Sequence, residues 1–415
     1  MSVPAARSHE AEHRHTPEFE FIALVAVLTA LTAMSIDTML PGIGIMAKDL
    51  GALHDNDRQF IILGFFLGMT LGTLFFGPLS DSLGRRPAIF SGLAVFCFGA
   101  LLCMFAWNFP VLVLGRIIQG IGASSPRIVA LAMVRDGAKG AAMARIMSFV
   151  MSVFMLVPII APSVGQLVLD VSNWRTIFGG FVVAAILTGT WFGLRQEETL
   201  DPENRQHIDV ATLWHSAVEV CTNRVSLGYT LASGAIFSVF TAYLGVCQQI
   251  FAEQYHQGTN FKYWFGAMAT ALALAMITNG NLVMRLGMRR LSKWALWGFC
   301  GVWATVLVLC LIFAGQPPLL MVAVLFYFWF FCAGFTFGNF SALAMEPMGH
   351  IAGMAAAISG ALSQAIAVIL GGFAGRFYDG TLTPLALFFV VFALIGMGCA
   401  AWAEGGRGLV KKSVA

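Results

Sequence analysis

GPLSDSLGRR, from Gly77 to Arg86, and GNLVMRLGMRR, from Gly280 to Arg290, decide how this chain is organised. Gly77 and Gly280 are 203 residues apart, and so are Gly84 and Gly287. Each stretch closes a long apolar run and ends on a pair of arginines, Arg85 with Arg86 and Arg289 with Arg290. A fixed offset of this kind is the mark of an internal repeat. The chain therefore reads as two related halves, with these stretches at the same place in each.

The surrounding sequence supplies the unit that is repeated. Of 415 residues, 58% are hydrophobic and 11% charged, against about 25% charged in an ordinary soluble domain. So much apolar surface cannot be hidden in one water-soluble core. Runs long enough to cross ~30 Å of hydrocarbon at ~1.5 Å per residue lie near residues 20 to 46, 59 to 79, 88 to 108, 111 to 134, 145 to 169 and 176 to 194. A second set lies near 225 to 250, 263 to 283, 293 to 314, 318 to 343, 353 to 375 and 384 to 403. The expected fold is all-α and integral to the membrane, with twelve transmembrane helices in two pseudo-symmetric six-helix bundles, 19 to 194 and 225 to 403. A cytoplasmic linker, 195 to 224, joins them, and tails at 1 to 18 and 404 to 415 flank them. Within the linker, Leu213, Trp214, Ala217 and Val218 recur at helical spacing, as in a helix lying on the inner membrane surface.

Basic residues set the orientation. With the N-terminus inside, the inner segments hold 17 of the 24 Lys and Arg residues and the outer loops five, while Arg116 and Arg127 fall within a span. Both termini are then cytoplasmic by the positive-inside rule. The first apolar run is too long for a signal-peptide core and counts as a span. The eight cysteines form no C-x-x-C pair and read as packing residues. His9, His13 and His15 belong to the N-terminal tail, which is read as disordered.

The motif inventory excludes several functions. No H-E-x-x-H, metal-spaced histidine cluster, G-x-S-x-G or phosphate-binding loop occurs, so neither an enzyme, a metal site nor a bound cofactor is expected. Whatever work the protein does is driven by a gradient. The expected partners are a small-molecule substrate, protons and the lipid bilayer, with no nucleic acid and with the chain acting as a monomer.

Charges kept inside spans point to transport. Asp37 is late in the outward-running first span and Arg116 early in the inward-running fourth, which puts both roughly 9 to 13 Å below the outer surface. Two opposite charges at one depth are expected to interact, directly or through water. Either the pair is static and fixes two helices, or Asp37 exchanges a proton, poised between desolvation that favours its neutral form and an arginine that favours its charged one. Gln119, one turn from Arg116, is placed to share the network. Arg127 follows Arg116 by 11 residues and shares its face about 16 Å deeper. It either meets an anionic substrate together with Arg116, or snorkels to the inner surface and pairs with Asp136 or its neighbours. In the second half, Tyr243, Gln248, Asn339 and Gln364 are the polar candidates for an otherwise Phe- and Met-rich cavity wall. The alternative for each is helix-to-helix bonding.

The loop and span-five residues read as conformational. Gly77 permits close helix approach, Asp81 is placed to face the N-terminus of span eleven near Ala352, and Arg85 to pair with Asp136. Together with Gly84 and Arg86 these either latch the outward-open state or form a solvated turn. Pro158, Pro162 and Gly165 kink span five and let it pack tightly against a neighbour.

The Gly77 to Arg86 loop resembles the motif that major facilitator transporters carry between their second and third helices. LGRIIQGIGA, Leu114 to Ala123, resembles their fourth-helix arginine motif, and PIIAPSVG, Pro158 to Gly165, their fifth-helix antiporter motif, with Ala161 and Gln166 where glycines are usual. Ser82 stands where the loop motif usually has a base. More narrowly, SIDTMLP (Ser35 to Pro41), Val134-Arg135-Asp136, Asn173-Trp174-Arg175 and Ala352-Gly353-Met354-Ala355 are similar to the bicyclomycin and chloramphenicol resistance (Bcr/CflA) group. The resemblance covers nearly the whole chain. It implies a secondary active transporter of a bacterial-type cytoplasmic membrane that exports small amphiphilic molecules, drugs or metabolites, in exchange for protons. The alternative is a proton-coupled symporter that imports a small, possibly anionic, solute.

Overall fold

The computed structural model describes residues 18–138, 140–205 and 210–405. The tail histidines His9, His13 and His15 and most of both expected tails lie outside the described residues. Among the described residues there are twelve helices of 20 to 32 residues and no strand. They are α1 (Glu18–Asp37), α2 (Phe60–Leu83), α3 (Arg85–Met104), α4 (Phe109–Gly137), α5 (Gly140–Val171) and α6 (Trp174–Arg195). The second half contains α7 (Arg224–Gln248), α8 (Phe261–Leu286), α9 (Met288–Ile312), α10 (Leu319–Met345), α11 (Ala352–Arg376) and α12 (Thr383–Ala403). At ~1.5 Å per residue even the shortest reaches about 30 Å, the thickness of the hydrocarbon layer.

Two element boundaries differ from the sequence reading, each for a local reason. The first run does not continue to residue 46 as one helix. α1 stops at Asp37, a single turn covers Leu40–Gly42, and a short helix follows over Ile43–Asp49. Pro41 has no N–H to give and biases Leu40 away from continuing the helix. Asp37 is therefore the last residue of α1. The third helix begins at Arg85, three residues before the apolar run, because the Glu198 carboxylate accepts from the backbone N–H groups of Arg85 (2.8 Å) and Arg86 (3.0 Å). An acidic cap of this kind neutralises the positive helix start.

Each bundle closes on glycine contacts. A Cβ at Gly68 of α2 would lie 2.0 Å from the Ile117 carbonyl oxygen of α4, and one at Gly92 of α3 would lie 2.2 Å from Ser125 Cβ. α4 is thus pressed backbone to backbone between α2 and α3. In lipid, where no hydrophobic force drives helices together, such small-residue crossings supply the packing. In the second bundle, α7 and α11 meet the same way, a Cβ at Gly371 falling 2.8 Å from the Ser238 carbonyl oxygen.

The internal repeat is visible in the backbone. Gly84 has φ 109° and Gly287 φ 80°, each between the second and third helix of its bundle, where a Cβ would be strained. Beyond the turn, Arg85 Nε donates to Asp136 at the end of α4 (2.7 Å), and Arg289 donates to Glu346 just past α10 (2.6 Å). The same arginine-to-carboxylate tie recurs in both halves.

Helix count puts the described ends, Glu18 and Gly405, on one face, called here the terminal face. The opposite, far face carries the α1-to-α2 and α7-to-α8 connections. Among the described residues, hydrogen bonds and ion pairs join the bundles between the far face and Gln364, whose amide donates to the Phe66 carbonyl (3.1 Å) about halfway along α2 and α11. Toward the terminal face, Gly77, Gly280 and Gly353 look onto open space. The molecule is closed at the far face and open at the terminal one. In the linker, Val210–Thr222 is helical, and Val220 packs with Met348, Ala355 and Ile358 at the start of α11. Trp214 and Val218 point away from that contact and are exposed.

Candidate functional site: the α1 terminus, the far-face closure and Arg127

Arg116 is fully buried in α4 and is held by three acceptors. Its guanidinium donates to the Ser35 carbonyl of α1 (3.1 Å), the Ile61 carbonyl of α2 (3.1 Å) and the Gln119 side chain (2.6 Å), and it lies 4.3 Å from the centre of the Phe65 ring. Gln119 does share the arginine's network. The equal depth of Asp37 and Arg116 read from the sequence corresponds to real proximity, since Ser35 is two residues from Asp37. The ion pair itself does not form. Arg116 is taken up by carbonyls, and the Asp37 carboxyl makes no hydrogen bond or ion pair with any described residue, although it is only 6% exposed.

The surroundings of Asp37 come from both bundles. On its own side, α5 packs against the chain just past it. A Cβ at Gly165 would lie 1.7 Å from the Thr38 carbonyl oxygen, so only glycine admits α5 this close. Ala161 and Pro162, on the same stretch, are buried, while Pro158 is half-buried. On the other side is α7, which packs against the Leu40–Gly42 turn that follows Asp37. Asp37 also sits at the carboxyl end of α1, where the helix dipole disfavours a negative charge. Thr38 Oγ1 and both polar atoms of Gln59 are buried without partners nearby, in the same seam between the halves.

Above this seam is the closure. Arg58, only 7% exposed, pairs with Glu253 and donates to Gln248 at 3.1 Å. Asp57 pairs with Arg376, and Asn56 Nδ2 donates to the Arg376 (3.0 Å) and Tyr378 (2.7 Å) carbonyls. Gln249 donates back to Asn56 at 3.1 Å. In the loop after α11, burial pushes the Tyr378 phenol above its ordinary pKa, and its hydroxyl donates to Gln254 at 2.9 Å. Three consecutive residues before α2, Asn56 to Arg58, thus bind the ends of α7 and α11. From the sequence Arg58 reads only as one of the five outer-loop bases, and nothing there ties it to Glu253, 195 residues away.

Several expected cavity residues lie elsewhere. Tyr243 is fully buried among Phe265, Phe326, Trp329 and Phe330 and does not line the open space. Gln248 belongs to the far-face closure. Asn339 exchanges amide hydrogen bonds with Asn279 of α8 (3.0 and 3.1 Å), a helix-to-helix contact. Gln364 spans the bundles at the inner limit of the closure. At the terminal face, Arg85 bonds Asp136 as expected, and Arg86 donates to the Gly193 carbonyl (2.9 Å). Asp81 does not face Ala352: it pairs with Arg85 and is half-exposed, because the halves are apart on this side. For the same reason Gly77 has no close neighbour here.

Arg127 lies in the terminal-face half of α4. It is half-buried, and its guanidinium is 5.9 Å from the centre of the Phe154 ring of α5. The pairing with Asp136 does not occur, Asp136 being engaged by Arg85.

Residues 24–372 match the family model described as Major Facilitator Superfamily. The chain belongs to the major facilitator superfamily. It is similar to the Uncharacterized MFS-type transporter YdgK of Bacillus subtilis, 28% identical over 378 residues that cover 90% of this chain and 92% of that one. It is also similar to the Bicyclomycin resistance protein homolog of Haemophilus influenzae, 26% identical with 88% and 92% covered. Among solved structures, a D-xylose-proton symporter superposes with TM-score 0.73 at 14% identity, covering 94% of this chain and 99% of that one. The protein is thus a multi-pass membrane transporter and not an enzyme, and its relatives include the Bcr/CflA group.

Proposed function

We propose that this transporter exports small amphiphilic molecules from the cytoplasm in exchange for protons, by alternating access, with Asp37 carrying the proton. The observation that carries the reading is the Asp37 carboxyl: buried at the carboxyl end of α1, without a counter-charge, between α5 and α7 and under the far-face closure. An ionised carboxylate left there costs several kcal/mol, which the neutral acid does not. Closing the far face over Asp37 therefore favours its protonated form, and opening it hydrates the site and admits the charged one. That coupling of charge state to conformation is what an ion-driven carrier requires.

With both termini cytoplasmic, the terminal face is the inner one and the open state described above faces inward. Substrate enters between the halves from the cytoplasm. The Arg58–Glu253 and Asp57–Arg376 pairs then break as the far face opens, and the Asp81 to Arg86 turn and the start of α11 approach one another. After release, a proton from outside neutralises Asp37, the far face closes again, and the proton leaves Asp37 through the open terminal face to the cytoplasm as the next substrate enters. The tight fit of Gly165 on Thr38 makes α5 and α1 move as one body, so that the far-face opening is transmitted to the carboxyl. The relatives named as a bicyclomycin resistance homologue support a drug-like cargo.

The direction is tested in sealed inside-out vesicles carrying the transporter, with 2-naphthalenesulfonate and chloramphenicol succinate as separate probes. Accumulation inside, driven by an acid interior, is the expected result. Accumulation driven by an acid exterior would instead assign proton symport.

A further inference from the structure

Arg127 lies in the terminal-face half of α4, immediately after Pro126, and its guanidinium has no acceptor among the described residues. Five acids at the terminal-face end of this bundle have partners of their own. Asp136, about 13 Å further along the helix, is bonded by Arg85 at 2.7 Å and by Thr199 at 3.4 Å. Asp81 pairs with Arg85, Glu20 with Arg195 at 2.6 Å, and Glu18 with Arg145 at 3.7 Å. Glu198 is occupied by the backbone N–H groups that begin α3.

An arginine does not escape this position by losing its proton, and an unpaired charge within a span costs several kcal/mol unless water or an external group meets it. Arg116, on the same helix face, shows how this chain satisfies a structural arginine: full burial and three acceptors. Arg127 has the opposite surroundings, half-buried, without an acceptor among the described residues, and beside an aromatic ring. Its planar fork matches a carboxylate, sulfonate or phosphate with two parallel bonds, and Phe154 supplies a face for an apolar body.

We infer that the transported molecule carries an anionic group that docks on Arg127 while its apolar part lies against Phe154. The inference rests on the transport reading above and names the substrate class. It also separates two events. The Arg116 guanidinium, at the level of Asp37, is 11 residues from Arg127, about 16 Å along the helix. Proton and anion therefore occupy different places and do not compete for one charge.

The test uses purified full-length protein in lipid nanodiscs with 2-naphthoate, its methyl ester and 2-naphthylmethylamine as matched probes. Wild type is expected to bind the carboxylate most tightly, and Arg127→Ala to weaken it by at least about tenfold, the loss of a charge-assisted hydrogen bond. Arg127→Lys, which keeps the charge but not the fork, recovers part of the affinity, and binding of the ester is unchanged throughout. Arg127→Gln serves if the alanine variant does not fold. Equal carboxylate affinity in wild type and Arg127→Gln, or tighter binding of the ester or amine by wild type, would overturn the inference. Failure of proton-driven accumulation with carboxylate binding intact would instead count against the export reading alone.

Discussion

The Arg116 guanidinium donates to the Ser35 carbonyl at 3.1 Å, so an arginine of α4 closes the end of α1 two residues before Asp37. That carbonyl is among the last four of the helix, which have no donor of the helix's own. The carboxyl beside it is held in place through the backbone and is left free of any counter-charge. A proton site built this way is positioned rigidly and responds to hydration, which is what changes when the far face opens.

Removal of Arg116 is expected to destabilise the first bundle strongly. Arg116→Ala strands the Ser35 carbonyl and the Gln119 side chain in a dry interior and removes the second bond at the Ile61 carbonyl, and bonds from a charged donor contribute about 1.5 to 3 kcal/mol each. We expect a loss of about 3 to 5 kcal/mol, read as a lower unfolding temperature in detergent, with only part regained in Arg116→Lys because an ammonium cannot serve the three directions of the guanidinium. A wild-type unfolding temperature for Arg116→Ala would show that the three bonds do not hold the helices.

Gly165→Ala places a methyl 1.7 Å from the Thr38 carbonyl oxygen and must push α5 from α1. Transport is expected to fall at least about tenfold, equivalent to 1.4 kcal/mol at the rate-limiting step. Gly398→Ala, which meets nothing within 4 Å, is the control and should transport like wild type. Equal activity of the two variants would remove the proposed coupling between α5 and the proton site.

The far-face closure should depend on Arg58. Spin labels at the exposed positions Leu53 and Asp379 straddle it, and their distance distribution reports the open and closed populations. Arg58→Ala breaks the Glu253 and Gln248 contacts and is expected to raise the ratio of open to closed roughly tenfold, within the 1 to 3 kcal/mol range of such couplings. Glu253→Gln should move it the same way by less. An unchanged distribution in both would mean the pair is not part of the lock.

The twelve spans were legible because apolar length reports directly on hydrocarbon thickness, and the repeat because Gly84 and Gly287 must both take a left-handed turn. The depth match of Asp37 and Arg116 was legible from helical rise alone. What lies across the chain was not. Arg116 could choose backbone carbonyls over Asp37, and hydropathy says nothing about which acceptor is nearer. Arg58 and Glu253 are each ordinary loop charges until the fold brings them together. Tyr243 read as a cavity polar group because an isolated tyrosine among phenylalanines looks the same whether it faces a cavity or an aromatic core. Asp81 and Gly77 have partners that depend on which face is closed, and a single sequence encodes both states.

Proton movement coupled to substrate in proteoliposomes with an interior pH dye tests the role of Asp37 most directly. Wild type should move protons opposite to substrate. Asp37→Asn, neutral and nearly isosteric, should still exchange substrate for substrate across the membrane but move no protons and build no gradient. Substrate-dependent proton flux at the wild-type rate in Asp37→Asn would contradict the assignment of the proton to this carboxyl.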